Sequence, residues 1–221
     1  MNVVDQPLTL ARRTQSAREE LANSISHGMG LLGAMIGTPI LLVAAFHHGS
    51  TSFLIATIVF TATMLLVYLG STLYHAWPQT PAKSLLQVLD HSAIFLLIAG
   101  TYTPFAMGPL RGTGGLTTLG IVWTLALFGV VMKTTRGPLR HRKLAMTLYL
   151  GSGWLGLILI RPLALAVPWS AVMCLIAGGI AYTAGTLFFA NERLRYAHFV
   201  WHLFVLAGTS CHFAAVFICA A

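Results

Sequence analysis

LANSISHGMGLLGAMIGTPILLVAAFHHGSTSFLIATIVFTATMLLVYLGSTLYHAWPQTPA, residues 21–82, contains no lysine, arginine, aspartate or glutamate. A helix needs about 20 predominantly apolar residues to cross a bilayer, so this run holds two spans. The polar break HHGSTS at 47–52 divides them. Charge-poor runs follow at 91–110, 112–132, 144–160, 162–191 and 196–221. The pattern predicts an all-α, polytopic membrane protein with a bundle of seven transmembrane helices. Arg161 and Pro162 are expected to end the fifth span, with Pro162 and Pro168 bracketing a short turn, because proline interrupts the helical hydrogen-bond ladder. Pro104 is expected to kink the third span.

Composition supports this reading. Hydrophobic residues make up 57% of the 221 positions and charged residues 8%, against about 25% charged in soluble domains. A net charge of +8 would point to nucleic acid in a soluble protein. Here the basic residues lie between apolar runs and report topology, so no nucleic-acid partner is expected. Residues 1–19 are polar and lack a short apolar core followed by a small-residue cleavage site, and they read as a cytoplasmic tail rather than a signal peptide. A single transmembrane domain is expected over 20–221. With the N-terminus inside, eleven of the thirteen basic residues fall on the inner side and only Arg111 and Arg161 on the outer. Because positive charge accumulates on the cytoplasmic side, the N-terminus is predicted inside and the C-terminus outside. Cys174, Cys211 and Cys219 lie within apolar stretches, without CxxC spacing, and read as packing residues.

Polar groups at membrane depth are costly and mark functional sites. His75 lies at the inner end of the second span, Asp90 and His91 at the inner start of the third, and His198 and His202 at the inner start of the seventh. Residues four apart stack on one helix face, so His198 and His202 can chelate one ion, and His75 supplies a third imidazole. Three histidines leave one position of a tetrahedral site open, as catalytic zinc requires. Asp90 is positioned to bind the metal or to accept a proton from a water beside it; capping the third helix is its alternative role. Ser71, one turn before His75, either orients such a water or ligand or bonds its own backbone. His91 points about 100° away from Asp90 and is left out of the ligand set. His212, about 15 Å further along the axis than His202, is out of reach. Glu20, Asn23 and His27 form a polar stripe on the first span. The stripe either borders the site or reflects the preference of Glu20 for a helix N-terminus.

The motifs Glu20-x2-Asn23-x3-His27, Ser71-x3-His75, LDHSAIFLLIAGTYTP from Leu89 and His198-x3-His202 together resemble the hemolysin III family, the bacterial branch of the progestin and adipoQ receptor superfamily. The resemblance runs from Glu20 to the end of the seventh span. It implies a seven-helix bundle in the bacterial cytoplasmic (inner) membrane with Zn2+ near the cytoplasmic face. The implied ligands are His75, His198 and His202, with Asp90 reaching the metal through water and Ser71 nearby.

Four functions are compatible with these residues. The first is a zinc-dependent, ceramidase-like hydrolase of lipid amides or esters, acting in membrane lipid homeostasis, with zinc polarising the carbonyl and Asp90 handling the proton. No glutamate lies between the paired histidines, so the HExxH protease mechanism does not apply. The second is a regulator of membrane state whose zinc only staples helices, with membrane lipids as partners. A pore-forming hemolysin fits poorly with so apolar a chain, and a transporter fits poorly with polar groups gathered at one leaflet rather than the midplane.

Overall fold

The computed structural model describes residues 13–112, 114–137, 141–191 and 193–221; residues 1–12 of the expected tail lie outside these. All elements among the described residues are helical. They are α1 (Ala17–His47), α2 (Thr51–Ala76), α3 (Pro81–Met107), α4 (Gly115–Arg136), α5 (Arg142–Trp154), a 3-10 segment (Leu155–Leu159), α6 (Ile160–Ala166), α7 (Trp169–Ala190) and α8 (Ala197–Ala220). The segment Arg142–Ala166 acts as one span, so seven helices are long and apolar enough to cross a membrane.

Local chemistry sets several helix starts. Ser16 accepts a hydrogen bond from the Glu19 amide while the Glu19 carboxylate accepts from the Ser16 amide, a capping box that satisfies two otherwise orphaned donors. The Ser50 hydroxyl caps α2 through the Phe53 amide at 3.3 Å. Pro81 stands in the first turn of α3, where its missing N–H costs nothing. Within α2, Thr57, Thr61 and Thr72 return their hydroxyls to carbonyls one turn back, which satisfies them without a partner helix.

Helices α1, α2, α3 and α4 pack in sequence, and α8 packs on both α7 and α1. Residues such as Phe53, Phe60, Tyr68, Trp201 and Val205 fill the centre. Gly30 permits the close approach of α1 to its neighbours: a methyl there would stand 2.6 Å from Leu206 of α8 and 2.7 Å from Tyr68 of α2. Gly33, by contrast, faces open space, so the Gly33–Gly37 pair does not form a two-point helix contact.

Two expectations are corrected. The third helix begins at Pro81, so Asp90 lies well inside it and cannot be its N-cap; that position belongs to Thr80. The charge-poor run marked only the apolar part of a longer helix whose first turns face polar partners. The fifth span does not end at Arg161–Pro162. Helical structure continues to Ala166 and turns at Val167 and Pro168. Pro162 falls in the opening turn of α6, where a ring without an N–H is tolerated.

Candidate metal centre

The N-terminal half of α1, the C-terminal end of α2 and the start of α8 bring their polar residues together. His75, His198 and His202 each offer one ring nitrogen, and the three nitrogens lie within 4.8 Å of one another. The ring centroids are 4.7–5.0 Å apart. Ligand atoms on one tetrahedral zinc stand about 3.4 Å apart at bond lengths of about 2.1 Å, so small side-chain rotations would close the set around an ion.

The remaining nitrogens explain how the rings are aimed. His75 Nδ1 lies 2.6 Å from Glu20 Oε2. A carboxylate only accepts, so Nδ1 carries the proton and Nε2 presents a lone pair. That Nε2 is buried with no hydrogen-bond partner among the described residues. His202 Nδ1 lies 3.1 Å from the Asn23 carbonyl and 3.0 Å from Ser26 Oγ, and the carbonyl again fixes the proton on Nδ1. The carboxylate behind His75 and the carbonyl behind His202 are the usual support for metal-binding histidines, fixing tautomer and orientation. The donor set and its support therefore fit a metal ion, and an orphaned imidazole nitrogen in an apolar interior is costly without one.

Glu20 is shared. Its other oxygen stands 3.2 Å from Lys83 Nζ, which also donates to the Trp77 carbonyl at 3.1 Å. The Asn23 amide donates to Gln15 at 2.5 Å and lies 3.4 Å from His75 Nδ1. His27 stacks on His202 with centroids 3.5 Å apart and planes 8° from parallel, and it is not one of the clustered ligands. The α1 stripe thus borders the site along its whole length.

Two cavities meet at the cluster. One, apolar, contains about 1090 Å3 of open space including its mouth and runs between α3, α5, α7 and α8. His27, Asp90, His91, His198 and His202 form its polar end. It continues past Tyr102, Trp154 and His212 into a second apolar space beside α6. The other cavity is a polar vestibule lined by Arg13, Glu20, Lys83, Gln87 and Arg142 among others. His198 and Phe189 line both sides.

Asp90 is buried in the wall of the apolar cavity, its carboxylate 4.0 Å from His91 Nε2. Ser71 is buried too, and its hydroxyl has no partner among the described residues, so it does not make the backbone bond that its threonine neighbours make. His212 reaches the Leu175 carbonyl at 3.3 Å, deep in the same cavity. Two supporting residues were not read from the sequence. Ser26 carries no local signal. Glu19 was detectable as the partner of Ser16 in the spacing Ser16-x2-Glu19.

An all-helical chain with seven apolar spans and a buried three-histidine cluster is a multi-pass membrane protein with a potential metal centre. The sequence profile of the family described as Haemolysin-III related matches residues 15–213, and the chain belongs to that family. It is 42% identical over 202 residues to the "Hemolysin-3 homolog" of Bacillus subtilis (strain 168), covering 91% of this chain and 92% of the relative. It is also 42% identical over 207 residues to "Hemolysin-3" of Bacillus cereus, covering 94% of both. A more distant similarity, 23% over 208 residues, links it to the human "Monocyte to macrophage differentiation factor", covering 90% of this chain and 83% of that one.

Proposed function

We propose that the chain is a zinc-dependent hydrolase of lipid amides or esters in the bacterial cytoplasmic membrane, with its N-terminus and histidine centre on the cytoplasmic side. The observation that carries this reading is the orphaned Nε2 of His75, converging with His198 and His202 where an apolar cavity meets a polar vestibule. Zinc rather than a harder ion suits three neutral imidazoles. When bound, it supplies Lewis acidity that polarises a carbonyl and acidifies water. Around it, His75, His198 and His202 hold the centre, and Asp90 takes the proton that an attacking water must lose. Ser71 offers a free hydroxyl to orient that water or the carbonyl. The apolar walls of the cavity suit an acyl chain reaching the centre from the membrane. The end of the bundle that holds the cluster also carries Arg13, Lys83 and Arg142, while Arg111 and Arg161 mark the opposite end. This bias supports the inward orientation.

A second reading, a regulator of membrane state with a purely structural metal, is favoured by one observation: the ligands and their hydrogen bonds tie α1, α2 and α8 together. Asp90→Asn separates the two. With zinc-loaded protein in liposomes, free fatty acid should be released from a lipid amide or ester in a panel. Asp90→Asn should lower that rate about 10²–10⁴-fold, the usual range for a lost acid-base group, while zinc content stays constant. No release from loaded wild type refutes the hydrolase, and release that Asp90→Asn leaves unchanged refutes the proton-accepting role given to Asp90. The name of the Bacillus cereus relative raises membrane lysis as a further possibility for this chain. Lysis would require the chain to reach a foreign membrane through water, which a composition 57% hydrophobic opposes.

A further inference from the structure

We propose that Glu19 is a positioning residue of the metal centre, holding the start of α8 where His198 and His202 meet His75. The proposal rests on the metal-binding reading above. Glu19 is 2% exposed and its two oxygens have different duties. Oε2 accepts from the Ser16 amide, the Ser16 hydroxyl and Arg13 Nη1, each at 2.9 Å, which completes the cap of α1. Oε1 is committed elsewhere: it accepts from Arg13 Nη2 at 2.5 Å and from the Tyr196 amide, on α8's cap residue, at 2.8 Å. A residue serving only as a cap would have no need of that second bond.

Tyr196 is also where α8 needs holding. It sits at φ 58, a left-handed conformation that residues with a side chain seldom adopt. Arg13 reaches the Leu194 carbonyl at 3.4 Å, so the Arg13–Glu19 pair grips the turn before α8 at two backbone points. His198 lies two residues beyond Tyr196, and His202 one helical turn further. Each residue of a helix rotates the next by about 100° and advances it about 1.5 Å, so a one-residue slip at Tyr196 would swing both imidazoles out of the cluster. One helix thus aims all three ligands: Glu20 orients His75, Asn23 and Ser26 orient His202, and Glu19 sets the register of the helix that carries His198 and His202.

The test compares Glu19→Ala with Ser16→Ala, which weakens the cap of α1 but leaves the bond to Tyr196. Zinc affinity is measured by chelator competition on the purified protein, and ligand geometry by the visible absorption of the cobalt-substituted form. Glu19→Ala should weaken zinc binding about 10–100-fold, the cost of a lost supporting partner, and should alter the cobalt spectrum. Ser16→Ala should lower the melting temperature and leave affinity and spectrum as in wild type. Wild-type affinity in Glu19→Ala, or an equal loss in Ser16→Ala, overturns the proposal. If Glu19→Ala does not fold, Glu19→Met, close in length but unable to accept from the Tyr196 amide, decides: weaker binding than Ser16→Ala supports it and equal binding overturns it. A wild type that takes up neither ion overturns the metal reading as well, so the two failures are distinguishable.

Discussion

The histidine end of α1, α2 and α8 and the fifth span are built on opposite principles. In the first, α1 alone buries Glu19, Asn23, Ser26 and His27; Glu19, Asn23 and Ser26 bond groups on α2 or at the start of α8, and His27 stacks on His202. The fifth span, Arg142–Ala166, buries only Ala145, Ser152 and Leu163. It breaks into a 3-10 segment and packs lightly on α3, α4 and α7. Its attachment relies on a few hydrogen bonds. The Tyr102 hydroxyl donates to the Ser152 and Gly153 carbonyls and accepts from the Gly156 amide. Trp154 donates to Thr183, Tyr149 to the His91 carbonyl, and Arg142 to the Phe189 carbonyl. Few buried apolar contacts mark regions that open locally at low cost. Yet this span walls the apolar cavity that ends at the histidines. The contrast teaches that a rigid centre can sit behind a yielding wall, which is what an amphiphile entering from the membrane would need.

Removing a ligand breaks the rigid half and gives the largest effect. Zinc at about 100 times its Kd should stabilise wild type by about 2.7 kcal/mol through mass action. His202→Ala, which removes the ring that Asn23 and Ser26 hold, should gain nothing from added zinc. Thermal unfolding with and without chelator, alongside elemental analysis, reads this directly. An equal zinc-induced shift in the variant would show that the three histidines are not the binding set.

Glu20→Gln probes how firmly that half is held. The amide still fits between His75 and Lys83 but removes the negative charge that keeps the proton on His75 Nδ1. Zinc affinity should fall about 10–100-fold, less than on loss of a ligand, and titration against a competing chelator would measure it. Unchanged affinity would mean that the carboxylate charge is not needed to orient the ring.

Hydrophobic length is a property of the chain in one dimension, so the seven spans could be read from their runs without knowing any contact. The shared depth of His75, His198 and His202 was legible for the same reason: alternating spans place the ends of the second and seventh helices at one face. What could not be read was interior position. Asp90 looked like a helix start because the apolar run begins at residue 91, but Lys83 finds Glu20 and the Trp77 carbonyl, and the helix begins at Pro81. Pro162 looked like a stop because a proline ends a ladder only if its missing N–H is needed, and a 3-10 segment ahead of it removes that need. The bond from Glu19 to Tyr196 joins residues 177 apart, and no local pattern announces such a tie.

Tyr102→Phe sharpens the comparison from the yielding side, with the smallest effect. One hydroxyl bridges α3 to three backbone groups around the 3-10 segment, so its loss frees that segment without creating a cavity. A neutral hydrogen bond contributes about 1 kcal/mol net, which corresponds to about fivefold in a local opening equilibrium. Amide hydrogen exchange across Leu155–Leu159 should therefore quicken about fivefold in detergent or nanodiscs, with zinc affinity unchanged. If exchange stays at the wild-type rate, packing rather than Tyr102 holds the span, and the wall is less yielding than its contacts imply. If zinc affinity falls with it, the two halves are mechanically coupled through α3 and the cavity, and the division between a fixed centre and a mobile wall fails.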